Sequence, residues 1–331
     1  MLSVVMPNFN HAAYLPQALE AILSQRRQPD EVIVIDDAST DDSVRIIQSY
    51  LSAHPNVQLV ANTERVGVVV NVNRGLELAK GDIIFFASAD DVTYPGLFEK
   101  GVSLMEAFPQ APLFSACSDV IDPDGRVVGL LDSSMPSDQA GFIPPSDVSR
   151  LFLYDEAWFT GTTSIWRKEA LLAAGGFRPE LGAFADGYLS RLLALKHGVC
   201  FSPEILAGWR RMEGGMAWSA SVNLSHTLKL AETVQSLMAK DSTFPSGYAE
   251  RWKGRHLFGA RRFALLQARK QAQKAGPIPF VLASVREAVL TAWLFFKLRP
   301  RDLFAVLQRR WPWKRKRLSH TERNVNVSMR S

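Results

Sequence analysis

Two adjacent pairs of aspartates are the residues of this sequence best suited to chemistry. Asp90-Asp91 closes the stretch DIIFFASADDVTYP (82–95), and Asp36-Asp37 stands in VIDDASTDDS (34–43). Each pair follows an apolar run. Neighbouring carboxylates repel each other, and the end of a buried strand is a costly place for them unless a cation or hydrogen-bond donors gather there. Asp90-Asp91 has two readings. Ahead of Pro95 the acids could cap the start of a helix. As ligands they suit a divalent metal, Mn2+ or Mg2+, which takes oxygen ligands. Such an ion often uses one or two protein carboxylates, with water and substrate phosphates completing its shell. Asp36 and Asp37 could accept hydrogen bonds from a nucleobase N–H or a ribose hydroxyl, while Ser39 and Asp42 look like a capping pair for the helix that follows.

The elements that must position these acids read clearly in the first 120 residues. Short apolar runs at 2–6, 31–36, 57–60, 82–88 and 113–117 alternate with helical patterns near 14–25, 42–53, 68–79 and 95–107. This alternation implies an α/β fold with a mostly parallel, Rossmann-like central sheet. Ligands of such sheets bind beyond the carboxyl ends of the strands, where both acidic pairs fall. No glycine-rich phosphate loop or dinucleotide fingerprint is present, so a bound nucleotide would be held by metal and carboxylates.

The rest of the chain is less regular. DPDGR (122–126) reads as a turn, 137–147 as a loop, 162–166 as a strand, and 168–174 and 184–197 as helices. From 220 onward only helices are expected. Residues 251–331 hold 20 Lys and Arg against 3 acids, whereas 1–250 hold 18 against 30. An acidic body thus carries a basic tail suited to an anionic partner. Within 276–300, Arg286 and Glu287 interrupt the apolar run, so a spanning helix is not expected. Leu282, Val285, Val289, Trp293 and Phe296 form one helical stripe, followed by six basic residues and two tryptophans in 309–317. That combination suits the face of an anionic membrane. Cys117 and Cys200 lie far apart, which argues against a disulfide framework or zinc cluster and fits a reducing compartment. The first residues show no secretory signal pattern.

Five segments taken in order resemble family-2 glycosyltransferases of the GT-A fold: SVVMPNFNHAAYLPQALEAILSQ (3–25), DEVIVIDDASTDDS (30–43), NTERVGVVVNVNRGLELAKGDIIFFASADD (62–91), GTTSIWRKEALLAAGGF (161–177) and ADGYLSRLLALKHG (185–198). The resemblance covers roughly residues 1–215. It implies that 1–118 is the nucleotide-sugar half and 119–220 the acceptor half, with 221–331 a helical, basic extension.

The resemblance also implies roles. Pro7 and Asn10 would shape the first nucleotide loop, and Asp37 would bind the base with Asp36 beside it. Asn73 would lie in the nucleotide site. Asp91 would bind the metal and Asp90 would help hold metal or nucleotide. Asp186 would be the general base, although it could instead cap the helix at 187–197. Arg210 and Arg211 would close over the diphosphate with the loop 212–221, hinged at Gly214-Gly215. Trp158 and Phe159 would stack on an acceptor sugar or pack in the core. Several positions depart from the family pattern: Ala38 for glycine, Val72 for arginine, Ser88 for aspartate, Ala185 for glutamate and Met212 for histidine. A Gln-x-x-Arg-Trp motif is absent, which favours one addition over polymerisation.

The resulting expectation is an inverting, metal-dependent enzyme on the cytoplasmic face of the membrane. Its donor would be a nucleoside-diphosphate sugar, a UDP-sugar before others, and its acceptor a glycan or lipid-linked precursor. A nucleotidyltransferase acting on sugar phosphates is the competing enzyme reading. A nucleic-acid-binding protein using the basic tail is the competing non-enzyme reading; the acidic body disfavours it, and no nucleic-acid partner is expected.

Overall fold

A sheet of ten strands runs through the protein in the order β3-β2-β1-β4-β9-β6-β10-β5, with β7 on β6 and β8 on β10. The computed structural model describes residues 1–131, 135–153, 158–212 and 223–275, together with Val281. The strands are β1 (Leu2–Asn8), β2 (Glu31–Asp36), β3 (Val57–Ala61), β4 (Ile83–Phe86), β5 (Val92–Thr93), β6 (Leu113–Ile121), β7 (Val127–Leu130), β8 (Gly141–Ile143), β9 (Ile165–Arg167) and β10 (Val199–Arg210). The helices are α1 (Leu15–Leu23), α2 (Ser43–Leu51), α3 (Val68–Leu78), α4 (Leu97–Ala107), α5 (Pro145–Leu151), α6 (Lys168–Ala173), α7 (Ala185–His197), α8 (Leu224–Lys240) and α9 (Tyr248–Ala275).

The long pairings, β3–β2–β1–β4 and β6–β10, are parallel, and the short ones are antiparallel. β9 runs antiparallel between β4 and β6. The carboxyl ends of β1, β2, β4, β6 and β10 therefore share one edge of the sheet with the start of β9.

Both faces of the sheet are covered, which explains the unbroken apolar runs. On β1, Val5 packs with one cluster while Leu2, Val4 and Met6 pack with the other, as the period-2 geometry of a strand requires. α1 and α4 cover the second face. α7 and α8 cover the first, joined by Tyr248 and Trp252 at the start of α9, so α8 and the opening of α9 share the core beneath the sheet. α3 comes so near the sheet that a Cβ on Gly75 would lie 2.2 Å from Val5 Cγ1. Among the described residues no helix is long and apolar enough to cross a membrane.

The expected loop at 137–147 instead contains β8 and the start of α5. Pro145 occupies the first turn of α5, where its missing N–H costs nothing. The turn at 122–126 forms as expected, with Asp122 and Arg126 joined by a backbone bond. The strand expected at 162–166 is shorter and later, with a 3₁₀ turn at Gly161–Thr163 before it.

Candidate active site

Residues 86–97 exclude the capping reading of Asp90 and Asp91. Helix α4 begins at Leu97 and is capped by Gly96 in the left-handed region, with β5 lying between it and the acids. The two acids then divide. Asp91 is 9% exposed, and its Oδ1 accepts the backbone N–H of Arg210 at 2.7 Å. Burial first, then the charge of Asp90, push its carboxyl up to about 8, against the pull of Arg210 and Ser88. Asp90 is half-buried, and its carboxylate has no hydrogen-bond or ion-pair partner among the described residues. The open acceptor of the pair is therefore Asp90, with Asp91 behind it.

This set fits a hard divalent cation. It offers carboxylate oxygens, one of them unpartnered, and a second acid whose burial a nearby cation would offset. Among the described residues no three His, Cys, Asp or Glu side chains form a cage, so phosphate and water would supply the remaining ligands.

Asp36 and Asp37 end β2 beside β1. Asp36 accepts from Asn8 Nδ2 at 2.7 Å and from Ser39 N and Oγ at 2.9 and 2.6 Å. Ser39 is thus bound to Asp36 rather than capping α2, whose first amide is met by Asp41. Asp37 accepts from Asn62 Nδ2, Val66 N and Gly67 N, each at 2.9 Å, and so holds the loop before α3. Burial raises its pKa, but the hydrogen bonds from Val66, Asn71, Asn62 and Gly67 outweigh this and hold the carboxyl below the usual range. An ionised carboxylate has about four acceptor positions. Asp36 uses three on the protein, and on Asp37 the Asn71 carboxamide adds to the three bonds above, so both buried acids are largely satisfied within the protein.

Asn10, at φ 57, joins the β1 and β2 loops: its Oδ1 accepts Thr40 N at 2.8 Å and its N–H donates to Ser39 Oγ at 2.9 Å. Pro7 lies on β1 opposite Ile35, one step before the loop. A feature missed from sequence is the ring of Phe9, covered by the Arg65 guanidinium at 3.9 Å. The pairing of Phe9 with a residue 56 positions later had no local signal.

Two residues expected at the nucleotide are occupied elsewhere. Asn73 Nδ2 donates to Phe177 O at 2.7 Å, and Phe177 N donates back to Asn73 Oδ1 at 2.9 Å, so its carboxamide clamps the turn after α6. Arg210 is 3% exposed. Its guanidinium donates to the carbonyls of Asp90, Asp122 and Pro123 and to Gln17 Oε1, which leaves little for a diphosphate. Arg211 differs: its backbone N–H is bonded to Ile121 O, while its exposed side chain makes no hydrogen bond or ion pair among the described residues. The hinge Gly214-Gly215 lies outside the described residues.

Asp186 falls in the first turn of α7, which starts one residue earlier at Ala185, so it is not the N-cap. Its Oδ1 accepts the N–H of Gly187 at 2.7 Å. A Cβ on Gly161 would lie 3.0 Å from its Oδ2. That turn precedes β9, and Ile165 of β9 pairs with Phe85 of β4. Asp186 therefore sits at the same sheet edge as Asp90. Its side chain is exposed, with the backbone of Gly187 and the Gly161 turn beside it. Desolvation raises its carboxyl above the usual range, against the Gly187 N–H and the charge of Arg191. Trp158, 1% exposed and stacked 4.1 Å from Phe159, is a core residue rather than an acceptor platform.

The fold and sequence both have close counterparts. The model of "Glycosyl transferase family 2" matches residues 3–127. Residues 3–127 thus carry the pattern of that family. An uncharacterised glycosyltransferase of Escherichia coli, YibD, is 37% identical over 168 residues, covering 50% of this chain and 46% of that protein. An uncharacterised protein of Mycobacterium tuberculosis is 30% identical over 219 residues, 62% of this chain and 66% of that one. The chain thus spans less than two thirds of these relatives. Among solved structures, Staphylococcus aureus TarS 1–349 in complex with UDP-GlcNAc superposes with a TM-score of 0.60 at 16% identity, covering 93% of this chain and 90% of that chain. A Pyrobaculum calidifontis mannosyltransferase in complex with GDP-Man and Mn2+ gives 0.58 at 20% identity, over 94% and 87%. These likenesses establish the family's GT-A fold for this chain.

Proposed function

We propose that this family-2 protein moves one sugar from a nucleoside-diphosphate sugar to a hydroxyl of a glycan or lipid-linked acceptor, with inversion. The observation that carries the proposal is the gathering of Asp37, Asp90 and Asp186 at one sheet edge. Asp186 takes the proton of the acceptor hydroxyl as that oxygen bonds to the anomeric carbon and the bond to the diphosphate breaks. A carboxyl raised by its surroundings is better matched to this work near neutral pH. Asp90, backed by Asp91, would hold a Mn2+ or Mg2+ ion, whose charge would offset that developing on the departing diphosphate. Asp37 would lie beside the base, and Arg211 would meet phosphate.

Both the UDP-GlcNAc bound by TarS and the GDP-Man and Mn2+ bound by the mannosyltransferase support a nucleotide-sugar donor and a divalent ion. A UDP-sugar is the first to test. A putative teichuronic acid biosynthesis glycosyltransferase of Bacillus subtilis, 30% identical over 105 residues, supports a role in cell-surface polysaccharide synthesis. The basic region 276–331 lies outside the described residues except for Val281, and its composition supports peripheral attachment to an anionic membrane on the cytoplasmic side. The test is a donor panel with Mn2+ or Mg2+, scored by nucleoside diphosphate released in the presence of acceptor extract. Release of pyrophosphate from a nucleoside triphosphate and a sugar phosphate would instead establish the nucleotidyltransferase reading.

A further inference from the structure

Arg210 closes β10 beside the acid pair. Its backbone N–H donates to Asp91 Oδ1 at 2.7 Å, and its Nε to Asp90 O at 2.7 Å. Nη1 donates to Asp122 O at 3.0 Å and Pro123 O at 2.8 Å, and Nη2 to Gln17 Oε1 at 2.6 Å. The guanidinium carbon stands 4.7 Å from the centre of the Tyr14 ring. One buried side chain thus joins the start of α1, the turn between β4 and β5, and the turn between β6 and β7. The last of these is built around it: at Gly125, φ +83, a Cβ would lie 3.7 Å from Gln17 Nε2 and 3.8 Å from Arg210 Nη1.

The hydrogen-bond partners are neutral, and neutral partners do not cancel a charge. Burying an unbalanced guanidinium is costly. The acid pair lies beside it across the turn between β4 and β5, and the charge of Arg210 pulls the Asp91 carboxyl down against its burial. Arg210 and Asp90-Asp91 therefore form one unit, and part of what lets two acids share a strand end is this resident cation.

We propose that Arg210 is a positioning residue, which fixes the Asp90-Asp91 turn so that Asp90 meets a diphosphate-bound divalent cation in a single geometry. This rests on the nucleotide-sugar reading above. The planar fork is what the role demands, because its donors leave in fixed directions toward three loops. A lysine keeps the charge but cannot span them.

Arg210→Lys and Arg210→Met separate geometry from charge. Mn2+ binding is followed by the electron paramagnetic resonance of the free ion, with UDP and with GDP as separate probes. Near-ultraviolet circular dichroism reports the fold, and donor KM and kcat are measured alongside. Both variants are expected to weaken Mn2+ binding by about 10–100-fold, the range for losing a group that orients a metal ligand. UDP or GDP binding in EDTA should be unchanged. An Arg210→Lys protein that binds Mn2+ like the wild type overturns positioning, since charge alone would then suffice. Tighter binding in Arg210→Met overturns it too. If both variants fail to fold, Gln17→Leu removes one acceptor and should give a smaller loss in the same direction; unchanged affinity there overturns the proposal. A wild-type protein that binds Mn2+ with neither probe overturns the transferase reading itself, and this inference with it.

Discussion

Asp90 and Asp91 are neighbours in sequence and opposites in environment. Asp91 is buried and accepts the N–H of Arg210 at 2.7 Å, whereas Asp90 is half-buried with an unpartnered carboxylate. Their removal should therefore be felt in different measurements. Asp90→Ala should abolish metal-dependent turnover and leave the melting temperature of the metal-free protein unchanged. Asp91→Ala should lower stability by about 1–3 kcal/mol, because it strands a buried donor. Chelation by EDTA should stop the wild type. Full turnover in EDTA, or a destabilised Asp90→Ala beside an undisturbed Asp91→Ala, would reverse the assignment.

Asp37 gives a pH prediction with a definite sign. Its pKa in the folded protein is held below the value of 3.8 for a free carboxyl. A depressed acid contributes stability above its unfolded pKa and loses it as pH falls through the folded value. The stability gap between wild type and Asp37→Asn should be full at neutral pH and close progressively below about pH 4. Asparagine cannot accept at both ends of the site, so the loop carrying Val66 and Gly67 should also exchange its amide protons faster. Urea unfolding across pH checks the first point and hydrogen exchange the second. A gap that is constant down to pH 2 would contradict the carboxylate's role.

Ala38 stands between Asp37 and Ser39 with φ 59, a left-handed conformation. For an L-residue this costs roughly 1–2 kcal/mol, part of which a glycine would return as freedom in the unfolded chain. Ala38→Gly should stabilise the protein by about 0.5–1 kcal/mol in urea unfolding. A destabilised variant would mean that the methyl group makes a contact worth more than the strain.

These sites show what could be read from the chain and what could not. Strand ends are local: the run Val32–Ile35 ends at Asp36 whatever the rest of the protein does, so the place of the acids at the sheet edge was legible. The occupations of Arg210 and Asn73 were not. Arg210 bonds to backbone carbonyls 87 to 120 positions away, and Asn73 to the backbone of a residue 104 positions away. Backbone partners leave no residue type to recognise. The later strands were hidden for a different reason. In β10 the register shifts between Ser202 and Ile205, which breaks the two-residue alternation. β5 has two residues and β8 three, too few to show a period.

The basic cluster at 309–317 should hold the protein to anionic vesicles. Each Lys or Arg near such a surface contributes about 1 kcal/mol. Replacing Arg309, Arg310 and Lys314 to Arg317 by glutamine should therefore release the protein from phosphatidylglycerol vesicles in a sedimentation assay. Binding of the wild type should weaken as salt rises, through screening. A glutamine variant that still sediments fully would place the attachment elsewhere in the chain.

Asp186 separates binding from chemistry. Its carboxyl is raised by desolvation, and it stands beside the turn that precedes β9, whose start meets the end of β4. Asp186→Asn keeps the shape and can still accept the Gly187 N–H, but it cannot take a proton. UDP or GDP affinity should be unchanged, because on the proposed reading those contacts would belong to Asp37, Asp90 and Arg211. Sugar transfer in a single turnover should fall by roughly 10²-fold or more, the range for losing a general base. The structural alternative makes the opposite forecast. If Asp186 only steadies the first turn of α7, asparagine serves nearly as well as aspartate there, and transfer survives. Calorimetry of nucleotide binding beside single-turnover transfer decides the matter. Near-normal transfer removes Asp186 from the mechanism, and loss of nucleotide binding moves it into the donor site.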